Sequence, residues 1–352
     1  RINGTALSPA AYRQLGELVT KTLARLPPPA DPAEYISPSA LYLLAGAAFL
    51  LERCDVIVLE AGIGGASDEL SLLGLGHLAA TAVFAEHADL LGPTVQAIAT
   101  DKLAAAGPST TGIVHLDDAG PLAAAARRQA SHLGIKAHAV CTSPGAPGQV
   151  MLPPGLGGGN ALVGIATGQL VAEALGAGPP PAEALAQTLA TVRHPGRCSV
   201  HSTSNGDQVV VDSPVTAPGL AAALDFARGV FGGQPNLILA SLPEGKDLDG
   251  FGQLLAPLGR KVVWIEPTGT HLQYGPTPPW AQPATAPLPD LLAGDRVLAV
   301  GTALFTGQVL AALDVPTASL FTPITRGEDS GQFRLGPGIG WGVVACGACC
   351  AL

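Results

Sequence analysis

The sequence predicts an α/β protein of two domains, each built on a mostly parallel sheet. Three observations carry that expectation. Short β-branched runs alternate with helical stretches along most of the 352 residues, the pattern of βαβ units. At roughly 100–200 residues per domain, this length suits about two. Hydrophobic residues make up 47% and charged residues 13%, which is ample material for packed cores. The 45 glycines and 32 prolines fall between periodic segments and form no collagen-like repeat.

The elements follow in order. Ser8 before Pro9 is an N-cap with proline at the first helical position, and opens a helix to about Leu23. "LPPPADP" (26–32) is a loop. Ser37-Pro38 opens a second helix through Leu51, and Asp55 leads into a strand over 56–60. That strand lacks polar alternation, which argues for burial. A strand at 80–85, "ATAVFA", runs into Glu86 and His87 and is followed by a helix near 93–105. Further βα pairs occupy 112–140. An alanine-rich helix spans 160–175, a Gly/Pro loop 176–181 and another helix 182–190. After the turn "HPGRCSV" come a strand at 208–212, a helix at 218–230, strands at 236–242, 261–266 and 296–301, and a helix from about Gly307. The expected domains are 1–194 and 195–313. Residues 314–352, ending "RLGPGIGWGVVACGACCAL", show neither period and read as an irregular tail.

Charge and cysteine usage narrow the function classes. With 18 Lys and Arg against 27 Asp and Glu, the net charge is −9; nucleic-acid binders carry a basic stripe instead. The longest apolar run, Ala40 to Leu51, is too short to span a bilayer, and no signal peptide is evident. Cysteines 54, 141, 198, 346, 349 and 350 lack framework spacing and read as reduced thiols of a cytoplasmic protein. The terminal C-x-x-C-C falls short of the four ligands that zinc takes.

Chemistry gathers at strand ends, where parallel sheets hold their ligands. In "VIVLEAGIGGASDE" (56–69) an apolar run finishes on Glu60 and breaks into glycines. Glu60, His87 and Asp212 all end strands. Glu60 and His87 could share a divalent cation, which takes mainly oxygen ligands; otherwise they are surface residues. Lys102 ends a helix, where a lysine meets the dipole; beside a metal its amine could instead take up CO₂ as a carbamate. Arg197, in the turn after Pro195-Gly196, could grip a phosphate, and Asp212 could accept ribose hydroxyls. Asn160 is grouped with them. Each stands against a plain structural role. Neither "GLGGGN" (155–160) nor "PEGKDL" has the spacing of a phosphate-binding P-loop.

The order of these pieces resembles the folylpolyglutamate synthase/dihydrofolate synthase family of the Mur-ligase superfamily. "RINGTALS" is similar to R-I-x-I-N-G-x-x-I-S, and "VLEAGIGGASDE" to V-L-E-V-G-L-G-G-R-L-D-A-T-N. "EHADLLGPTVQAIATDKLAAAG" resembles D-H-x-x-x-L-G-x-T-x-x-x-I-A-x-E-K-A-G-I. "HPGRCSV", "VVVDSPVTAPG" and "RVLAVGTALFTGQV" resemble three later family motifs. The resemblance implies a Mur-ligase-type central ATPase domain, incomplete at its N-terminus, followed by a Rossmann-like domain. It implies an ATP- and Mg²⁺-dependent amide ligase that activates a folate or dihydropteroate carboxylate as an acyl phosphate and joins it to L-glutamate. By family position Glu60 and His87 would bind Mg²⁺, and Lys102 would be the carbamylated lysine. Asn160, Arg197 and Asp212 would hold ATP; Ser67, Asp68 and Glu69 would border the pterin. Folate-type substrate and glutamate are the expected partners of a monomer, without nucleic acid or membrane.

The departures from the pattern support two alternatives, a degenerate non-catalytic relative that binds a ligand or partner, and a Mur-type ligase on a different acid. Ala66 replaces an arginine, Tyr42 an acid and Glu86 an aspartate. Val215 and Thr216 stand for the histidine and asparagine of D-G-A-H-N-P. The family's phosphate loop belongs just upstream of Arg1, so the 352 residues by themselves are expected to be inactive.

Overall fold

A computed structural model of the chain describes residues 1–3, 5–27, 38–51, 53–116, 120–141, 152–192, 194–203, 205–259, 261–270, 272–318 and 341–346. Two helices come first, α1 (Pro9–Leu23) and α2 (Pro38–Leu51). The Ser8 hydroxyl accepts the Ala11 N–H at 3.2 Å, the side-chain cap that its sequence position foretells. Leu15 and Val19 of α1 pack on Ala45 of α2.

The first sheet comprises β1 (Val58–Glu60), β2 (Leu75–Ala80), β3 (Gly112–Leu116), β4 (Lys136–Val140) and a strand from the far end of the chain, Trp341–Cys346. The last lies between β1 and β2, and every pairing is parallel. Four helices follow from its connections: α3 (Ala88–Leu91), α4 (Val95–Leu103), α5 (Pro121–Leu133) and α6 (Leu156–Ala174). Leu78 and Ile113 face Leu103 of α4 and Leu122 of α5, whereas Ala79 and Val114 face Val163 of α6. Covering on both faces is what makes parallel strands read as unbroken apolar runs. After α7 (Ala182–Thr191) the chain turns into a second sheet.

That sheet contains β5 (Ser199–Ser202), β6 (Gln208–Asp212), β7 (Leu237–Ser241), β8 (Lys261–Trp264), β9 (Gln282–Pro283) and β10 (Val297–Gly301). Its order is β5-β6-β10-β7-β8-β9; only β5 runs antiparallel to its neighbour among these pairings. Val210, Ile238 and Leu298 bury one face under α8 (Ala217–Phe231) and α9 (Leu248–Leu255). Val211, Leu239 and Ala299 bury the other under α10 (Leu288–Leu292) and α11 (Ala303–Ala312). Phe251 and Phe305 are fully buried, one under each face. Truncating either to alanine would cost about 3–5 kcal/mol.

Several expectations need correction. Residues 56–60 do not form a buried strand: β1 starts at Val58 and alternates, with Val58 at 62% exposure and Leu59 at 7%. It is the edge strand of its sheet among the described residues, and the face carrying Val58 and Glu60 meets solvent. The strand expected at 80–85 lies at 75–80, because Gly76 and His77 interrupt its apolar pattern. Gly157, Gly158 and Gly159 of "GLGGGN" sit inside α6 rather than before it, with Gly155 at its N-cap. α11 opens at Ala303, capped by the Thr302 hydroxyl on the Phe305 N–H at 3.3 Å. The tail is not wholly irregular, since 341–346 forms the inserted strand, β11. Its "GVVA" is a short apolar run suited to a central parallel strand. Cys349 and Cys350, like Ser37 and most of the 26–32 loop, lie outside the described residues.

Candidate active site

The glycine turn after β1 is held by two carboxylates. Asp68, 6% exposed, accepts the Gly62 N–H at 2.8 Å on one oxygen and the Leu70 N–H at 2.9 Å on the other. Asp101 of α4 accepts the Gly65 N–H at 2.8 Å, and its carbonyl takes the Ala66 N–H at 3.0 Å. A Cβ at Gly65 would stand 2.6 Å from that carbonyl oxygen, so glycine lets the turn lie directly on the helix. A Cβ on Gly64, at φ +81°, would clash with the same carboxylate. Ser67 is exposed and its hydroxyl faces Asp101 at 3.5 Å, and Glu69 is half-buried. Of the three residues expected to border the pterin, Asp68 is thus committed to the backbone; Ser67 and Glu69 present the surface.

The turn joining the two sheets carries Arg197 and is tied to Asp212. Cys198 takes a left-handed conformation, φ 42°, and its N–H donates to Asp212 at 3.0 Å. The Ser213 hydroxyl donates to the Gly196 carbonyl at 2.9 Å, and Gly196 N–H donates to the Ser199 hydroxyl at 2.8 Å. Arg197 therefore projects from a turn pinned at three points, and it is exposed. Burial pushes the Asp212 carboxyl up, opposed by the N–H groups of Cys198 and Ser213 and by the Arg197 charge. Burial, then Asp212, pushes the Cys198 thiol up strongly. Partial desolvation lowers His194, with Arg197 adding to the effect and Glu60 opposing it. Arg197 thus acts on both Asp212 and His194, and Glu60 acts on His194. Asn160 is exposed on α6. The start of that helix reaches the same turn, where a Cβ on Gly155 would be 3.0 Å from Cys198 Sγ.

His87 stands elsewhere. Its Nε2 lies 3.5 Å from Lys246 Nζ, and Lys246 also faces Glu86 at 3.8 Å. Desolvation lowers His87 and Lys246 lowers it further; Glu86 and Asp89 oppose, and Lys102 adds a smaller depression. Lys102 stands in the last turn of α4.

A divalent cation does not fit the expected pair. Magnesium needs a near-octahedral set dominated by oxygens, and the His87 Nε2 faces Lys246 Nζ at 3.5 Å. No three His, Cys, Asp or Glu among the described residues gather as a metal site, and the corner at His87 already has an ammonium. Val215 and Thr216 are buried at 6% and 8%, packed into the fold at the start of α8.

Sequence reasoning missed Asp101, His194 and Lys246. Asp101 had a signal in the glycines opposite it, which need a flat partner. Lys246 had none, because its partner lies 159 positions away.

Known proteins agree with this architecture. No protein-family model matches the chain. A stretch of 123 residues is 36% identical to a probable bifunctional folylpolyglutamate synthase/dihydropteroate synthase of Halobacterium salinarum. That stretch is 34% of this chain and 14% of the relative, so the chain spans only a small part of that protein. A folylpolyglutamate synthase solved with AMPPCP and folate superposes over 89% of this chain and 81% of its own, with TM-score 0.68 and 19% identity. The Thermotoga maritima enzyme gives TM-score 0.67 and 16% identity over 89% and 78%. The Mycobacterium tuberculosis enzyme complexed with ADP gives 0.64 and 20% over 87% and 78%. The fold is that of the folylpolyglutamate synthases. The sequence match, local as it is, points to the same family, as do the motifs around Glu60, Lys102 and Arg197. No helix among the described residues is long and apolar enough to cross a membrane.

Proposed function

We propose that this chain carries the nucleotide and acid sites of an ATP-dependent amide ligase that joins L-glutamate to a folate- or dihydropteroate-type carboxylate. One carboxylate oxygen attacks the γ-phosphorus and ADP departs, leaving an acyl phosphate. The glutamate amine then attacks the acyl carbon; inorganic phosphate leaves and the nitrogen loses a proton. Catalysis of such transfers is largely positioning and charge neutralisation. The observation that supports the reading is the turn pinned to Asp212 and Ser213, from which Arg197 projects.

Arg197 is suited to phosphate oxygens, which a guanidinium meets with paired N–H groups. Asp212 keeps acceptor capacity for a ribose hydroxyl beside its backbone bonds. Asn160, exposed on α6, would join them. Ser67 and Glu69 would meet the pterin, positioned through Asp68. Lys102 would neutralise developing charge or, as a carbamate, reverse its sign. Relatives solved with AMPPCP, folate and ADP support nucleotide and folate as the ligand classes. Magnesium enters only as the solution partner of ATP; no step is assigned to protein-bound metal at Glu60 and His87.

Calorimetry with AMPPCP tests the reading. Saturable binding that weakens about tenfold or more in Arg197→Ala, worth about 1.4 kcal/mol, is expected. Binding unaffected by that substitution would overturn it. The buried Val215 and Thr216 favour a second reading, a ligand-binding relative without turnover. Retained AMPPCP affinity with no glutamate-dependent ADP release from any folate acid would select it.

A further inference from the structure

The corner where family resemblance implies a divalent cation holds an ammonium. Lys246 Nζ is 3.5 Å from His87 Nε2 and 3.8 Å from Glu86 Oε1. The paired side chains are only 14% and 13% exposed, so water screens them poorly. Glu86 Oε1 is buried without a hydrogen-bond partner among the described residues; the nearby positive charge is its compensation. Both sides are fixed by backbone. Lys246 follows Gly245 at φ +80° and precedes Asp247, whose oxygens accept the N–H groups of Ala217 at 2.7 Å and Gly250 at 3.0 Å. His87 adopts φ 53°, ψ 40° at the start of α3, a conformation few non-glycine residues take.

A magnesium ion on Nε2 would sit about 2.1 Å from it, in space the ammonium fills. We propose that Lys246, reaching from the second sheet, takes the place of a divalent metal at the Glu86–His87 corner and presents a fixed positive charge to the phosphate or carboxylate oxygens of a ligand between the sheets. An ammonium has three N–H donors; His87 engages one and Glu86 balances the charge without a hydrogen bond, leaving donors for an incoming anion. The identity of that anion rests on the ligase reading; exclusion of the metal does not.

Manganese titration of the intact 352-residue chain, followed by electron paramagnetic resonance, tests the exclusion. The unaltered chain is expected to bind Mn²⁺ about tenfold more weakly than Lys246→Met, the gain in that variant being lost again in Lys246→Met/His87→Ala. Lys246→Arg, which keeps the charge, should behave as the unaltered chain. If the unaltered chain binds Mn²⁺ as tightly as Lys246→Met, and His87→Ala abolishes it, the proposal is wrong. It is equally wrong if neither binds. AMPPCP binding in EDTA forms a separate arm, expected to equal that in Mg²⁺ and to fall about tenfold in Lys246→Met. An absence of AMPPCP binding under both conditions would remove the ligase reading, while the manganese result would still decide Lys246.

Discussion

Asp68 offers the sharpest contrast between a residue that touches substrate and one that builds the site. Asp68→Ala removes acceptors at 2.8 Å from Gly62 N and 2.9 Å from Leu70 N. Leu70 is fully buried, so its N–H is left without water; Gly62 is exposed, so its N–H recovers a partner from solvent. A buried unsatisfied donor costs about 1–3 kcal/mol and a bond to a charged acceptor contributes about 1.5–3. Together these give a loss of about 2–3 kcal/mol. At about 2–4 °C per kcal/mol for a domain of this size, melting should fall by roughly 4–12 °C. Asp68→Asn keeps one acceptor and should lose about half as much. Urea unfolding measures both: the midpoint should drop with the slope unchanged. An Asp68→Ala protein as stable as the original would refute the anchoring role and return the residue to the substrate.

Other outcomes follow from the same geometry. Gly65→Ala puts a methyl group against two backbone carbonyls of α4 and should cost about 1–3 kcal/mol in urea titrations; a neutral substitution would show that the turn can lift. Cys198, its thiol pushed up by burial and Asp212, should alkylate with iodoacetamide at pH 8 far more slowly than exposed Cys141, with peptide mass spectrometry as readout; equal rates would contradict the shielding. For Asp212 the folded-state pKa is raised, so the native fold holds the proton more tightly than the unfolded chain. Stability is therefore lost as pH rises from the ordinary carboxylate range, near pH 4, through the raised value. Asp212→Asn should be at least as stable as the original at pH 7, with the gap closing in acid; a gap that widens as pH falls would reverse the assignment.

Much of the fold was legible because its signals are local. Ser8-Pro9, the Gly/Pro loops and the valine-rich β6 and β10 mark their elements within a few residues. Errors arose where the decisive partner is distant. β1 looked buried but lies at a sheet edge, and "WGVVAC" became a strand only through neighbours more than 250 positions earlier. The same division holds at the site. The Arg197 turn is tied to Asp212 through the Cys198 N–H because the β5–β6 hairpin sets that turn beside the end of β6. Glu60 does end β1, whereas His87 lies seven residues past β2, at the start of α3, where Lys246 meets it.

The most direct test is a crystal structure of this chain with AMPPCP. The account expects the nucleotide between the sheets, with its phosphates against the Arg197 guanidinium and a ribose hydroxyl on the Asp212 carboxylate. A nucleotide bound away from both side chains, leaving the 194–199 turn untouched, would contradict it.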